Sequence, residues 1–241
     1  MSQPILILHG WGRGAKSYEV VKQLLEEKGH LAYLFDLPGF GEAPAPDKSW
    51  SVDDYADFVL RFTQANNLDK VFLWGNSFGG RIAIKFAVSH PEKLNGLILC
   101  AAAGLKEKLN FRQRVGRVLA RFGKPIFRAI APQNLTDFMK RILYKFTGSR
   151  DFLLAPGIMK EVLVKTIAED SMPYLSRIKT PTLIIWGNKD KILPLSDAYI
   201  MNKEILGSHL EILENVGHRP HKEAPEKLIE IIDGFIKNLK S

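Results

Sequence analysis

The chain has 241 residues, of which 46% are hydrophobic, and its formal net charge at pH 7 is +8. A chain of this length and composition can bury a substantial core, and no apolar run approaches the ~18–20 residues that a membrane span needs. The single cysteine, Cys100, excludes an internal disulfide, and its position at the end of an apolar run predicts a buried core thiol.

The apolar pattern alternates between strands and helices. Strands are predicted near residues 4–9, 31–36, 70–75, 96–101, 181–187 and 209–214. Helices are predicted near residues 16–28, 51–66, 78–89, 194–205 and 223–239. This alternation predicts an α/β fold with a mainly parallel sheet of about six strands and helices on both faces.

Residues 1–4 lead straight into a strand without a secretion signal, so we expect a cytoplasmic protein. The sequence has no metal-ligand cluster, which predicts that the protein uses no cofactor or metal.

The first strand pattern ends in a glycine-rich loop, His9-Gly10-Trp11-Gly12. Its glycines allow the backbone to approach a substrate closely. A loop in this position can supply one N–H group to an oxyanion, and the N–H of Trp11 is the predicted donor. We interpret His9 as a structural hydrogen-bonding residue beneath the loop rather than as a second base.

The third strand pattern runs into the string Gly75-Asn76-Ser77-Phe78-Gly79-Gly80, after which a helix pattern begins. A G-x-S-x-G at a strand-to-helix turn is a nucleophile elbow, which predicts that Ser77 is strained and presents its hydroxyl. Side chains at Gly75 and Gly79 would collide in so sharp a turn. The N–H of Phe78, at the start of the helix, is the second predicted oxyanion donor.

Residues 105–171 break the alternation with several helical segments, which separate core segments 1–104 and 172–241 between the fourth and fifth strand patterns. Residues 105–150 hold twelve Lys or Arg and two Asp or Glu, a balance of +10, so the rest of the chain carries −2. Five basic residues recur there at helical spacing: Arg114, Arg117, Arg121, Lys124 and Arg128. They indicate either a solvated cationic face or a docking surface for an acidic partner or an anionic membrane, and no motif favours nucleic acid.

A serine nucleophile needs a base, and the base needs an acid that orients it. Behind a nucleophile elbow these follow in the order serine, acid, histidine. Asp190 follows the fifth strand pattern and His218 follows the sixth, which predicts a triad of Ser77, Asp190 and His218. The rival acids are Asp197, in the next helix pattern, and Glu107, after the fourth strand pattern.

Neighbours of the predicted triad are assigned to the substrate pocket. They are Gly10, Asn76 and Arg219. His221, three residues after His218, is a further candidate to line the site.

With these motifs the chain resembles the α/β-hydrolases across nearly its whole length. The matching strings include His9-Gly10-Trp11-Gly12, Asp36-Leu37-Pro38-Gly39-Phe40-Gly41, the elbow, Trp186-Gly187-Asn188-Lys189-Asp190 and Gly217-His218. The resemblance implies an α/β-hydrolase fold, with residues 105–171 as a helical cap inserted over the active site, where it shapes the substrate pocket and excludes water. Its usual antiparallel hairpin before the first parallel strand has no room here, so we expect about six strands instead of the usual ~8.

The resemblance implies a serine hydrolase that cleaves small-molecule carboxylic esters of short to medium acyl chain, with lactones and thioesters as further candidates, through an acyl-enzyme. Pimeloyl-[acyl-carrier protein] methyl ester esterases similarly have a His-Gly-Trp-Gly loop and cap arginines that meet the acidic carrier protein. The elbow is more similar to those of carbon–carbon bond hydrolases, although Arg219 stands where these usually have tryptophan. A carbon–carbon bond hydrolase of ring-fission products and a slow-turnover ligand sensor therefore stay open as alternatives.

Overall fold

The structure is a computed structural model that describes residues 4–106 and 157–239. The chain divides into two compact units, one made of Met1–Leu105 with Gly157–Ser241 and the other of Lys106–Pro156. The first unit holds every helix and strand that the structure describes. The predicted cap at 105–171 stays a prediction, because residues 107–156 lie outside the described ranges.

A sheet of six parallel strands lies at the centre of the first unit, which confirms the predicted fold class. The strands are β1 (Ile5–Leu8), β2 (Ala32–Leu34), β3 (Val71–Asn76), β4 (Leu94–Cys100), β5 (Thr182–Gly187) and β6 (His209–Leu213). Their spatial order is β2-β1-β3-β4-β5-β6, and each neighbouring pair is parallel. Parallel pairing requires a crossover between successive strands, and the predicted helices supply the crossovers β1–β2, β2–β3, β3–β4 and β5–β6.

The helices pack on both faces of the sheet. They are α1 (Glu19–Glu27), α2 (Val52–Ala65), α3 (Phe78–Ser89), α4 (Met159–Ala168), α5 (Met172–Leu175), α6 (Leu195–Glu204), α7 (Pro220–Glu223) and α8 (Pro225–Asn238), with 3-10 turns at Ala15–Tyr18 and Pro91–Lys93. The sequence pattern does not indicate α5 and α7, because four residues are too few to show a helical period. Within the described ranges, every helix is too short or too polar to span a lipid bilayer.

The strands are buried on both faces and therefore read as continuous apolar runs. In β1, Ile5 and Ile7 join a core cluster with α1 and α8, whereas Leu8 faces α3 on the opposite side. Cys100, at the end of β4, belongs to the same cluster as Ile5 and Ile7. Cys100 is fully buried, which confirms the predicted core thiol, and burial raises the pKa of the thiol to about 12.

Helix α3 also fixes the segment that returns to the sheet. Buried Arg81 donates a hydrogen bond of 2.5 Å to the carbonyl of Glu169, and the ammonium of Lys85 lies 3.2 Å from the carboxylate of Glu169. Residues 157–171 lie in the sheet-bearing unit, where these contacts hold Glu169 against α3.

Candidate active site

Three polar side chains come from three separate strand ends. Ser77 directly follows β3, Asp190 comes just after β5, and His218 comes after β6. The register pairs Gly187 with Leu213, the last residues of β5 and β6. Because parallel strands end at one edge of the sheet, Ser77 and His218 meet although 141 positions separate them.

Ser77 occupies the strained turn that the elbow motif predicts. Its backbone has φ 52° and ψ −113°, in the positive-φ region that side chains rarely adopt. Neighbouring backbone groups hold it there: the N–H of Ser77 donates to the carbonyl of Cys100 at 3.2 Å, and the carbonyl of Ser77 accepts from Gly80 and Ala103, each at 2.9 Å. The surrounding chain therefore compensates for the strain at the serine.

The glycines of the elbow are required by space. A Cβ atom on Gly75 would lie 2.4 Å from the carbonyl oxygen of Gly79, and one on Gly79 would lie 2.2 Å from that of Leu8. The predicted collisions are thus confirmed. A Cβ on Gly10 would lie 3.3 Å from the Cβ of Ser77, so the glycine-rich loop after β1 lies directly beside the serine.

Asn76 plays a part that the sequence analysis misses. The Tyr18 hydroxyl donates to its Oδ1, and its Nδ2 donates to the carbonyl of Cys100 at 2.8 Å. The residue is only 3% exposed. Its assignment to the substrate pocket is therefore corrected: both polar ends of the side chain point into the core, where they tie the end of β3 to its neighbours.

The imidazole of His218 bridges the other two predicted residues. Its Nδ1 lies 2.7 Å from Oδ2 of Asp190, and its Nε2 lies 3.1 Å from Oγ of Ser77. An ionised carboxylate can only accept a hydrogen bond, so Nδ1 carries the proton. In the neutral ring, Nε2 is then free to accept the proton of the serine hydroxyl.

The carboxylate of Asp190 is fully buried and fixed by its own turn. Its side chain has 0% exposure, and its Oδ1 accepts the N–H groups of Ile192 at 2.8 Å and Leu193 at 2.9 Å. The second oxygen is thereby aimed at the imidazole. The rival Asp197 lies in the first turn of α6, and the rival Glu107 lies outside the described residues.

His9 lies beneath the glycine-rich loop and joins it to the next strand end. Its Nε2 accepts the N–H of Leu37 at 3.0 Å, and its Nδ1 lies 2.9 Å from the carbonyl of Gly10. A backbone N–H can only donate, so Nε2 is unprotonated and the ring is neutral. Burial lowers the pKa of His9, which favours this state and agrees with a structural role.

The two predicted oxyanion donors are neighbours of Ser77. Phe78 is the first residue of α3, where an N–H has no partner within the helix. Trp11 follows Gly10, and its ring meets that of Phe78 edge to face at 5.1 Å. Their role as donors stays a prediction.

Two further aromatic residues surround Phe78. The rings of Tyr55 and Phe40 lie 5.2 Å and 5.8 Å from it, and Phe40 also contacts Trp11 at 4.8 Å. The Tyr55 hydroxyl donates to the carbonyl of Pro38 at 2.9 Å, which fixes its orientation. Phe40 belongs to a string that carries the family resemblance, but nothing in the sequence singles out Tyr55.

The residues after His218 separate into an exposed and a buried group. Arg219 is exposed at the start of α7, and its place in a substrate pocket stays a prediction. His221 is 4% exposed and stacks on Tyr18 at 4.1 Å within the core. Burial and nearby cations lower the pKa of His221 to about 3. No three His, Cys, Asp or Glu side chains converge as metal ligands in the ranges that the structure describes.

The chain is similar to known proteins in sequence and in fold. A family model described as alpha/beta hydrolase fold matches residues 3–156. AB hydrolase superfamily protein YisY of Bacillus subtilis is 31% identical, over 97% of this chain and 91% of its own. A pimeloyl-[acyl-carrier protein] methyl ester esterase of Aeromonas hydrophila is 27% identical, over 96% of this chain and 94% of its own. The solved structure of an esterase from Exiguobacterium antarcticum has 26% sequence identity and a TM-score of 0.73, over 100% of this chain and 92% of its own. The chain is therefore a member of the α/β-hydrolase family, whose enzymes are hydrolases.

Proposed function

We propose that this protein is a serine hydrolase that cleaves carboxylic esters through an acyl-enzyme intermediate. One observation carries the proposal: the imidazole of His218 lies within hydrogen-bonding distance of both the Ser77 hydroxyl and the Asp190 carboxylate. A serine hydroxyl is a weak nucleophile until an adjacent base can take its proton. The neutral Nε2 of His218 is that base.

Acylation follows from this geometry. Nε2 of His218 takes the hydroxyl proton as Oγ of Ser77 attacks the ester carbonyl and forms a tetrahedral intermediate. The imidazolium then gives the proton to the departing alkoxide, the C–O bond breaks, and the alcohol leaves. Asp190 keeps the ring in the required tautomer and stabilises its positive charge.

Deacylation uses the same groups in a second cycle. Nε2 of His218 removes a proton from water, whose oxygen attacks the acyl carbon on Ser77. The second tetrahedral intermediate collapses, His218 returns the proton to Oγ, and the carboxylic acid is released. The serine is thereby regenerated.

Both intermediates carry an oxyanion, for which the N–H groups of Phe78 and Trp11 are the proposed donors. The first N–H groups of α3 and the positive end of its dipole face the space before the helix, so a negative charge is favoured there. Removal of one such donor typically costs about 10²–10³-fold in kcat. Gly10 supports this role because its missing side chain leaves the loop close to Ser77.

The surroundings of the serine favour an apolar acyl group. Trp11, which follows Gly10 beside Ser77, is partly exposed and packs on the buried rings of Phe40 and Phe78. Apolar walls with few polar groups are typical of ligand sites. Two relatives are named esterases, which supports an ester as the substrate. We therefore propose esters of short to medium acyl chain as substrates, with lactones and thioesters accessible to the same chemistry.

An acidic carrier protein is the proposed partner if the acyl chain is delivered on one. The basic segment at 105–150 provides the complementary charge, and one relative is named for an ester on acyl carrier protein. That segment lies almost wholly outside the described residues, so its sequence alone supports this part of the proposal.

A panel of p-nitrophenyl esters of increasing chain length, with one ring-fission dienoate beside them, tests the proposal. We expect rapid turnover of the esters, none of the dienoate, and loss of ester turnover in Ser77→Ala with the fold intact by circular dichroism. Turnover of the dienoate alone would favour the carbon–carbon bond hydrolase. One slow turnover with retained product would favour the ligand sensor.

A further inference from the structure

The loop that carries His218 has a second anchor outside the triad. This loop, residues 214–219, runs between β6 and α7 without regular secondary structure of its own. Glu223, the last residue of α7, turns its carboxylate back onto it. Its Oε2 accepts the N–H of Gly217 at 2.7 Å, and its Oε1 accepts the N–H of Arg219 at 3.0 Å. One carboxylate thus binds the backbone on both sides of the histidine.

The geometry of this contact depends on Gly217. A Cβ on Gly217 would lie 3.0 Å and 3.2 Å from the two carboxylate oxygens of Glu223, so a larger residue would push the carboxylate away. Glu223 is itself held by its backbone N–H, which donates to the carbonyl of Arg219 at 2.9 Å. Hydrogen bonds from N–H groups to an ionised carboxylate are about twice as strong as neutral ones.

The other side of the loop is fixed by the turn that carries the acid. The N–H of Lys189 donates to the carbonyl of Val216 at 2.8 Å. A Cβ on Gly187 would lie 2.2 Å from that same carbonyl oxygen, so the loop rests directly on the end of β5. The backbone at Val216 is therefore tied to the Asp190 turn, whereas Glu223 binds the two residues that directly flank His218.

We propose that Glu223 is a positioning residue that holds the imidazole of His218 in line with Ser77. The inference rests on the proposed function, since it assigns to Glu223 the placement of the proposed base. Glu223 does not touch the reacting atoms. Its effect passes through the backbone of residues 217 and 219, and a displacement of about 1 Å at a catalytic group can cost about 10²-fold in rate.

Glu223→Gln is the sharpest single change. It keeps the shape of the side chain, but an NH₂ group replaces one of the two oxygens, and this group cannot accept the hydrogen bond of the N–H that faces it. We expect kcat for a p-nitrophenyl ester to fall about 5- to 50-fold while KM stays within about twofold, as a misplaced base predicts. Glu226→Gln is the matched control, because Glu226 is exposed in the first turn of α8 and lies outside this pair of bonds. It should behave like the wild type.

A double-mutant cycle separates positioning from a loss of folded protein. If Glu223 acts through His218, Glu223→Gln should lower the residual rate of the His218→Ala protein by less than about twofold. Rates are expressed per folded protein by circular dichroism. An equal loss in both backgrounds, or no loss of kcat in Glu223→Gln alone, would overturn the proposal. If the Gln variant does not fold, Glu223→Asp, which keeps the charge on a shorter side chain, is subject to the same comparison.

Ser77→Ala, assayed in parallel, separates this proposal from the one on which it rests. Full ester turnover by Ser77→Ala would remove the proposed function itself. Loss of turnover in Ser77→Ala together with a wild-type kcat in Glu223→Gln would remove only the role of Glu223.

Discussion

The side-chain amide of Asn76 donates a hydrogen bond of 2.8 Å to the backbone carbonyl of Cys100, at the point where β3 and β4 end side by side. The same carbonyl accepts the N–H of Ser77 at 3.2 Å. The residue before the serine and the serine itself are thus tied to one atom of the core. Stability and the geometry of the nucleophile therefore depend on the same contact.

Replacement of Asn76 by alanine should destabilise the protein. The change removes the bond to Cys100 and leaves the buried Tyr18 hydroxyl without its acceptor, so we expect the free energy of unfolding in urea to fall by about 1–3 kcal/mol. Asn66→Ala is the control, because its amide donates to the Phe62 carbonyl at an exposed helix end. Equal losses in the two variants would contradict a special role for Asn76.

A crowded glycine and an uncrowded glycine should respond to replacement by alanine in opposite directions. Gly79→Ala places a Cβ 2.2 Å from the carbonyl oxygen of Leu8, so we expect a Tm lower by several degrees and loss of ester turnover. Gly234→Ala, in α8, meets nothing within 4 Å and should raise the free energy of unfolding by up to ~1 kcal/mol. Thermal unfolding of both variants checks this, and a stable, active Gly79→Ala protein would refute the steric account.

Asp190→Asn should leave the fold intact and lower kcat by about 10³–10⁴-fold, because the amide no longer holds the required tautomer of His218. KM should change little, since Asp190 does not contact the substrate in the proposed mechanism. Asp197→Asn, in the first turn of α6, should retain kcat within about twofold. Steady-state kinetics on one ester decide between the two acids, and the reverse order of losses would transfer the role to Asp197.

Stability should fall with acid because of His221. Burial, with Lys222, Arg219 and Arg13 nearby, lowers its pKa from 6.5 to about 3 in the folded protein. As pH falls, His221 therefore takes up its proton in the unfolded chain before it does so in the folded protein. The folded protein is fully favoured by this group above about pH 6.5, and this contribution to the free energy of unfolding is lost as pH falls toward 3. The slope from this one group is at most about 1.4 kcal/mol per pH unit.

Urea unfolding between pH 7 and pH 4 tests this prediction. His221→Phe, which keeps a ring against Tyr18, should give a flatter dependence on pH than the wild type. His209→Gln, which removes an exposed histidine beside Glu211, is the control for the loss of one imidazole. An unchanged slope in His221→Phe would show that other groups titrate in this range.

Charge reversal in the basic segment tests the proposed carrier partner. Arg117→Glu with Arg121→Glu should raise KM about 5- to 10-fold for an ester on acyl carrier protein and leave KM for a p-nitrophenyl ester unchanged. Lys28→Glu with Lys203→Glu, at exposed positions, is the control for net charge. Equal KM values on the carrier substrate would exclude this segment as its docking surface.

The sheet and the approach of Ser77, Asp190 and His218 could be predicted because both depend on short-range patterns. Apolar runs mark the strands, and parallel strands deliver whatever follows them to one edge. Asn76 could not be predicted correctly, since its partners Tyr18 and Cys100 are distant in sequence.

Other features of the site escape the sequence for related reasons. Tyr55 contributes to the aromatic cluster from a helix whose sequence shows only an amphipathic pattern. The carboxylate of Glu223 reaches back across a one-turn helix that has no periodic signal. Long-range contacts and very short elements leave no pattern in the sequence.

The most direct test of the central claim is the mass of the protein after rapid mixing with an excess of p-nitrophenyl ester and acid quench. We predict that the wild-type protein gains the mass of one acyl group, that peptide mapping places it on Ser77, and that Ser77→Ala gains none. An acyl group on another residue would contradict the proposed nucleophile. So would steady ester turnover, in the wild type and in His218→Ala alike, without any acylated protein.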